Sequence, residues 1–475
     1  MKKIALLVLT TTLFVSVHAQ QKPNVIILLA DDMRANTIRA WGNNEIITPN
    51  LDKLVATGTS FPHTYNVGGH SGAICVTSRA MLFSGRHLFD LHDKGETIPA
   101  EHTTIPQTFT TAGYKSYGIG KWHNGIDSYV RAFPAGDEIM FGGMPASQWE
   151  IPLNYFRADG QYTQECIVPV ENNPALPRIG DHVYKGRHSS EIFADAAIKF
   201  LKSPEAKNPF FLYIAFTMPH DPRQVPQEYY DKYDMANISV PPNFMPQHPF
   251  VNGHMKGRDE ILLGFPRKPA EVKSEIRDYY ASITHLDAQI GGIIEALQKS
   301  DQYENTIIIF ASDNGLAVGQ HGLMGKQNLY EHSIGVPMIW SGKGIPKNKT
   351  VKGHVYLNEI YPTLCEIIGA EKPASVQTRS LLPNLLDSEK EAHDMLFFAF
   401  RDLHRAVSDR KYKLIEYHVR GIRTTQLFDL ETDPWEQNNL ADDPAYTSVK
   451  DRLRKALLDH RHQAKDAGSP FWENF

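Results

Sequence analysis

Cysteine is scarce, with three in 475 residues. So few, and an odd number, exclude a disulfide framework. An excess of charge of one sign is also lacking. Lys and Arg number 49 against 54 Asp and Glu, a net charge of -5. That excludes general attraction to nucleic acid and leaves anion recognition to a local basic cluster. Internal repeats and low-complexity tracts are missing, which excludes solenoids and arrays. Long apolar runs are missing too, except at the start, where MKKIALLVLTTTLFVSVHAQQ sets two lysines before Ile4–Val17. That run is shorter than the ~20 residues of a membrane span. With small residues at Val17 and Ala19 it reads as a secretory signal over 1–19, cleaved near Ala19. No cysteine follows it to carry a lipid. The expectation is a periplasmic or secreted protein without a membrane anchor. What is present is an ordinary globular composition, 41% hydrophobic and 22% charged, enough for a large core and two domains.

Three apolar runs end in polar residues: PNVIILLADD (23–32), PFFLYIAFTMPHDP (209–222) and NTIIIFASDNG (305–315). Each reads as a buried parallel strand, and ligand sites lie beyond the carboxyl ends of such strands. TPNLDKLVATG, TIPQTFTTAG, SEIFADAAIKFLKS and SITHLDAQIGGIIEALQKS carry helical spacing between them. The alternation predicts an α/β fold. Lys121–Arg187 and Pro222–Lys273 read as long irregular insertions. After Gly369 the texture changes. MLFFAFRD, HRAVSDRKYKLIEYH and TTQLFDL predict an antiparallel sheet, and SVKDRLRKALLDHRHQA a closing helix. The expected division is 1–19 signal, 20–369 catalytic domain and 370–475 C-terminal α+β subdomain.

Asp31-Asp32 and Asp313-Asn314 end two of the apolar strands. Either pair alone reads equally well as a turn or a helix cap. Together they form an all-oxygen set that suits calcium or magnesium. Arg79, Lys121, His123, His220 and Lys326 lie at strand ends or on Gly-bordered loops. Basic groups around a divalent cation suit a small tetrahedral oxyanion, sulfate or phosphate. Cys365 reads as a core residue and Cys166 as a loop residue. For Cys75, in SGAICVTSR, a disulfide to Cys166, a metal ligand, a core filler and a modified nucleophile all stay open on the residues alone.

CVTSR resembles the signature of the formylglycine-dependent sulfatases. GIGKWH, MPHDP, SDNG, GKQNLYEHSIGVP and YPTL follow in that family's order. The resemblance covers almost the whole mature chain and implies an alkaline-phosphatase-like α/β sandwich. Its large, mostly parallel sheet would lie between helices, with a smaller C-terminal subdomain carrying an antiparallel sheet and a helix. It implies that Cys75 is oxidised to formylglycine by a formylglycine-generating or anaerobic sulfatase-maturating enzyme, and that its hydrate attacks the sulfate ester. By the same resemblance Asp31, Asp32, residue 75, Asp313 and Asn314 hold one Ca2+. Arg79 and Lys121 hold residue 75 and the sulfate oxygens, and His123 takes the diol proton. His220 and Lys326 stand at the leaving oxygen, with His220 as general acid. Two departures are visible: Thr77 where the signature more often has proline, and Asn314 where related chains often have histidine.

HDPRQVP, PPNFMPQHPF and GLMGKQNLYEHSIGVP resemble the exported bacterial carbohydrate sulfatases. The expected substrate is a sulfated oligosaccharide, desulfated by exo action, of ulvan, agar or glycosaminoglycan type. His70, Arg34, Asn36, Arg187, His188, His254, Arg258, Asp259 and Glu260 are polar groups from which its binding surface would be drawn. Two other readings are a phosphonate or phosphate ester hydrolase of the same superfamily, and a glycan-binding protein with unmodified Cys75.

Overall fold

A computed structural model describes residues 21–144, 147–162, 165–167 and 177–475, with backbone alone for 165–167 and 177–179. The expected signal segment 1–19 and the Cys166 side chain lie outside the described residues. The two main sheets contain β1 (Asn24–Asp31), β2 (Gly58–Ser60), β3 (Lys115–Trp122), β4 (Gly136–Phe141), β5 (Phe210–Pro219), β6 (Thr306–Ser312), β7 (Met338–Gly342), β8 (Lys349–Thr350), β9 (Leu396–Phe400), β10 (His404–Ser408), β11 (Tyr412–Val419) and β12 (Ile422–Asp429), together with the two-residue strand Gly68–Gly69. The helices used below are α1 (Pro49–Thr57), α2 (Ile74–Ser84), α3 (Ser189–Leu201), α4 (Pro269–Lys299), α5 (Ile360–Ile368) and α6 (Thr447–Gln463).

The three apolar runs lie side by side. The large sheet runs β8-β2-β7-β6-β1-β5-β3-β4, and β6, β1, β5, β3 and β4 are mutually parallel. Val25 pairs with Ile307 on one flank and Phe211 on the other, so β1 is central. Successive side chains of a strand face opposite ways, and β1 is apolar on both faces. Ile26, Leu28 and Ala30 join one core with residues of α3 and α4, while Val25, Ile27 and Leu29 join another with Phe83 of α2 and Leu364 of α5. This two-faced burial explains why the run is continuously apolar rather than alternating.

The antiparallel sheet runs β12-β11-β10-β9, and Gly68–Gly69 adds to β9 in parallel. That addition was not expected. Helix α6 covers this sheet through Leu453 and Leu457, which pack with Val407, Leu414 and Leu427. The stretch 121–187 is less irregular than expected, since it contains β4 and a helix at Ile126–Ala132. Helix α4 starts at Pro269, well before the expected Ser282. The charged stretch EVKSEIRDYY still buries Val272, Ile276, Tyr279 and Tyr280 on one face. No helix among the described residues is long and apolar enough to cross a membrane.

Candidate active site

The parallel strands bring their carboxyl ends to one rim. Strand β1 ends at Asp31, and Asp32 turns out of it in the left-handed region (φ 69°), which aspartate tolerates. Its backbone is held on both sides. Tyr279 Oη donates to the Asp32 carbonyl at 2.6 Å, and the Asp32 amide donates to Asp313 Oδ1 at 3.2 Å. Strand β6 delivers Asp313 and Asn314, β3 delivers Lys121 and His123, and β5 delivers His220.

Helix α2 enters from below the rim, with all eleven residues buried. Cys75 lies in its first turn, where free backbone N–H groups favour negative charge. Cys75 and Cys365 are free thiols, which closes the disulfide reading for residue 75. Its Sγ lies 3.3 Å from His123 Nδ1 and 3.9 Å from Lys121 Nζ. One turn on, Arg79 Nε donates to Asp313 Oδ2 at 2.8 Å, and its Nη1 donates to the Lys121 carbonyl at 3.0 Å and Tyr213 Oη at 3.2 Å. The four-residue spacing from Cys75 to Arg79 puts both on one helix face.

The charged groups interlock. Lys121 Nζ is 2.5 Å from Asp31 Oδ2, and Arg79 Nη2 is 3.6 Å from the same oxygen. Lys326 Nζ donates to both Asp32 oxygens, at 2.7 and 2.8 Å. His220 Nε2 lies 3.6 Å from Asp32 Oδ2, and the Asn314 amide also donates to Asp32. All ten predicted positions therefore belong to one connected network. Three carboxylates face three basic side chains.

Burial opposes ionisation of Asp31, but Lys121 and Arg79 hold its carboxyl far below the ordinary range. Burial, reinforced by the charge on Asp31, pushes Asp313 up to about 6. Burial, then the charges of Lys121 and Arg79, keep His123 neutral, well below its ordinary value. For His220 burial is outweighed by Asp32 and Asp221, and its pKa is raised. Burial also pushes the Cys75 thiol up, so the thiol itself is a poor nucleophile at neutral pH.

Two buried oxygens, Asp31 Oδ1 and Asn314 Oδ1, have no hydrogen-bond partner. Asp31, Cys75 and Asp313 offer ligand atoms within 4.8 Å of one another, as do Asp31, Asp32 and His220. Unpaired hard oxygens beside repelling carboxylates fit a hard divalent cation.

The binding-surface candidates divide. Arg258 reaches the site, pairing with Asp221, whose Oδ1 is 3.2 Å from His220 Nδ1. Asp259 accepts from Gln327, and Glu260 takes the Met324 and Gly325 amides at 3.0 Å each, fixing the loop that carries Lys326. His254 lies against Gly72, three residues before Cys75. His188 instead caps α3 and His70 bonds the Leu88 carbonyl. Arg187 pairs with Asp195 on the surface. Arg34 is buried, and Asn36 lies two residues beyond it on the wall of a separate cavity. Sequence reasoning missed Tyr213 and Tyr279. Both sit inside apolar patterns that read as core, so nothing local marks them.

The chain matches the Sulfatase family model over residues 23–370 and the N-sulphoglucosamine sulphohydrolase C-terminal model over 319–463. It is 29% identical to an arylsulfatase of Clostridium perfringens, over 92% of this chain and 94% of that one. It is 24% identical to the N-acetylglucosamine-6-O-sulfatase of Bacteroides thetaiotaomicron, over 94% and 87%. Two solved structures share the fold. One, in complex with its substrate D-glucosamine-2-N,6-O-disulfate, has a TM-score of 0.72 at 22% identity, covering 94% of this chain and 99% of that one. The phosphonate monoester hydrolase of Agrobacterium radiobacter has a TM-score of 0.72 at 20% identity, covering 93% and 96%. With a family model spanning most of its length and the strand-end network in place, the chain belongs to the sulfatase family and is a sulfuric ester hydrolase.

Proposed function

We propose that the protein removes sulfate from a sulfated carbohydrate, with residue 75 acting as formylglycine beside one Ca2+. The observation that carries this reading is the setting of residue 75. It occupies the first turn of a buried helix, between a neutral imidazole and an ammonium, in a site that holds an unpaired Asp31 carboxylate oxygen and an unpaired Asn314 amide oxygen. The hydrated aldehyde supplies a hydroxyl nucleophile and a second hydroxyl for release of sulfate. Asp31, Asp32, Asp313, Asn314 and residue 75 would hold the calcium, which supplies Lewis acidity.

The other roles follow from the side chains. Arg79 is tied by three hydrogen bonds, so with Lys121 it presents fixed positive charge to residue 75 and the sulfate oxygens. His123 lies within reach of the residue-75 side chain and is held neutral; it takes the hydroxyl proton. His220, whose raised pKa favours the imidazolium, gives a proton to the leaving sugar oxygen. Lys326, anchored on Asp32, steadies charge at that oxygen. Three carboxylates already balance three basic groups, so a bound divalent ion leaves the site net positive and suited to a sulfate ester.

The carbohydrate assignment draws on relatives that act on sulfated sugars, including an ulvan-active sulfatase of Formosa agariphila, 25% identical over 92% of this chain. Export by a signal over 1–19, a periplasmic or secreted location, maturation by a sulfatase-modifying enzyme, and the division at 369/370 complete the proposal. The test has two parts. Mass spectrometry of the tryptic peptide holding residue 75, from protein exported by its native host, should show sulfur replaced by an aldehyde oxygen. A screen of ulvan, agar and glycosaminoglycan fragments should show release of inorganic sulfate; an intact thiol together with no release from any fragment would overturn the reading. The shared fold of the phosphonate monoester hydrolase favours a second reading, phosphonate or phosphate ester hydrolysis. Rates on 4-nitrophenyl sulfate, phosphate and phenylphosphonate separate the two.

A further inference from the structure

A cavity of about 740 Å³ opens between the catalytic unit and the C-terminal sheet, and none of the ten site residues lines it. Arg34 reaches it. Arg34 is 3% exposed, its Nε and Nη1 lack any hydrogen-bond partner, and its guanidinium rests over the Tyr279 ring at 5.2 Å. His332 stands on the same wall, buried, with both ring nitrogens unpartnered. Buried polar groups are nearly always satisfied, and a buried guanidinium without a partner is costly. Two such groups facing one cavity point to a ligand.

The charge around them decides its class. His321, His332 and Glu436 place ligand atoms within 4.8 Å of one another, which alone would suit a transition metal. The Lys413 ammonium contacts Glu436, however, and the His321 Nε2 lone pair already faces the Asn243 amide at 3.1 Å. Arg34 adds positive charge beside His332. A cation entering there meets two fixed cations. The carboxylates that line it are all committed elsewhere: Glu331 holds Lys413 at 2.8 Å and the Tyr65 hydroxyl at 3.1 Å, Glu436 takes the Glu331 amide at 2.8 Å, Glu391 pairs with Arg410, Glu431 with Lys411 at 3.2 Å, and Asp409 with Arg452. Arg34 is left to pair with something from outside.

We propose that this cavity is a second anion site, in which Arg34 pairs with a sulfate or carboxylate and His332 donates a hydrogen bond to it. Its volume accommodates one or two sugar rings. Resting on the sulfated-glycan reading, the anion has two sources: a further charged group of the glycan, or free inorganic sulfate, the product of the reaction.

Selenate, an anomalously scattering stand-in for sulfate, tests the site. Crystals of the formylglycine-bearing protein, grown without sulfate and soaked in selenate, should show an anomalous peak against Arg34. Arg34→Met should lose it. His332→Glu should lose it too, because it gives Arg34 an internal carboxylate while keeping the arginine. No peak in the wild type, or a peak that persists in both variants, overturns the proposal. The sources separate on the glycan found in the desulfation screen. If the glycan carries the anion, Arg34→Met raises KM about tenfold or more, the size of a charge-assisted hydrogen bond. If free sulfate is the ligand, KM stays put while selenate binding is lost. Selenate binding needs no turnover, so failure of this site and failure of the sulfatase reading are observed separately.

Discussion

Replacing Arg79 by methionine removes a charge that the whole rim is built around. The side chain is 1% exposed, and its guanidinium serves Asp313 Oδ2 at 2.8 Å, the Lys121 carbonyl at 3.0 Å and Tyr213 Oη at 3.2 Å. Methionine replaces the aliphatic stem and none of the donors. Asp31 keeps Lys121 at 2.5 Å, but Asp313 loses its one basic side-chain partner at contact distance. Breaking a buried pair in this way costs about 3–5 kcal/mol. Urea unfolding in EDTA, followed by near-UV circular dichroism, should show a loss of that size. The same experiment in calcium carries the sharper prediction. With one cation gone, the carboxylates attract a divalent ion more strongly, and a ligand that binds only the native state stabilises it. The penalty of the substitution should therefore shrink in calcium. A penalty below about 1 kcal/mol in EDTA would refute the buried network, since that is the scale of an exposed pair. An equal penalty with and without calcium would refute the cation site beside Asp31 and Asp313.

Cys75→Ala should abolish turnover while the melting temperature stays near that of the parent; residual turnover with sulfate esters would sink residue 75 as nucleophile. Asp313→Ala should lose both bound calcium, by atomic emission of the dialysed protein, and activity; unchanged metal stoichiometry would make the ligand set wrong. Glu436 shares Lys413 with Glu331, and burial together with that second carboxylate raises its pKa to about 7. The native state then binds a proton that the unfolded chain releases, so this contribution is present below about pH 4.5 and lost as pH rises to about 7. Glu436→Gln should flatten the stability curve across that window, by an amount of order 3 kcal/mol; an unchanged curve would show that Glu436 titrates normally.

Five of the residues that the rim draws together were visible as the ends of apolar runs, Asp31, Asp32, His220, Asp313 and Asn314, whereas Cys75 and Arg79 come from a helix and Lys326 from a loop. Asp31, Asp313 and His220 follow strands that are buried on both faces, and burial on both faces leaves a plain mark in sequence. The first turns of α4 were not visible. VKSEIRDYY carries enough charge to read as a loop, and only the packing of Val272, Ile276 and Tyr279 reveals the buried stripe. Nor were the partners of Arg258 and Glu260 visible. Asp221 and the Met324 amide lie 37 and 64 positions away, and no local pattern couples such distant sites. The Gly68–Gly69 strand was hidden for a related reason: two glycines carry no strand preference, and only their partner, β9, makes them one.

That last pairing bears on the order of events during synthesis. Gly68 and Gly69, just ahead of the helix that carries Cys75, take Ala399 and Phe400 as register partners, residues made some 330 positions later on the same sequence. Helix α2 itself is covered on every side once folded. The segment around residue 75 therefore lacks its final cover until the last quarter of the chain has been made and docked. Any enzyme that oxidises this cysteine has that interval in which to work, and a variant that sped docking of the C-terminal sheet would shorten it.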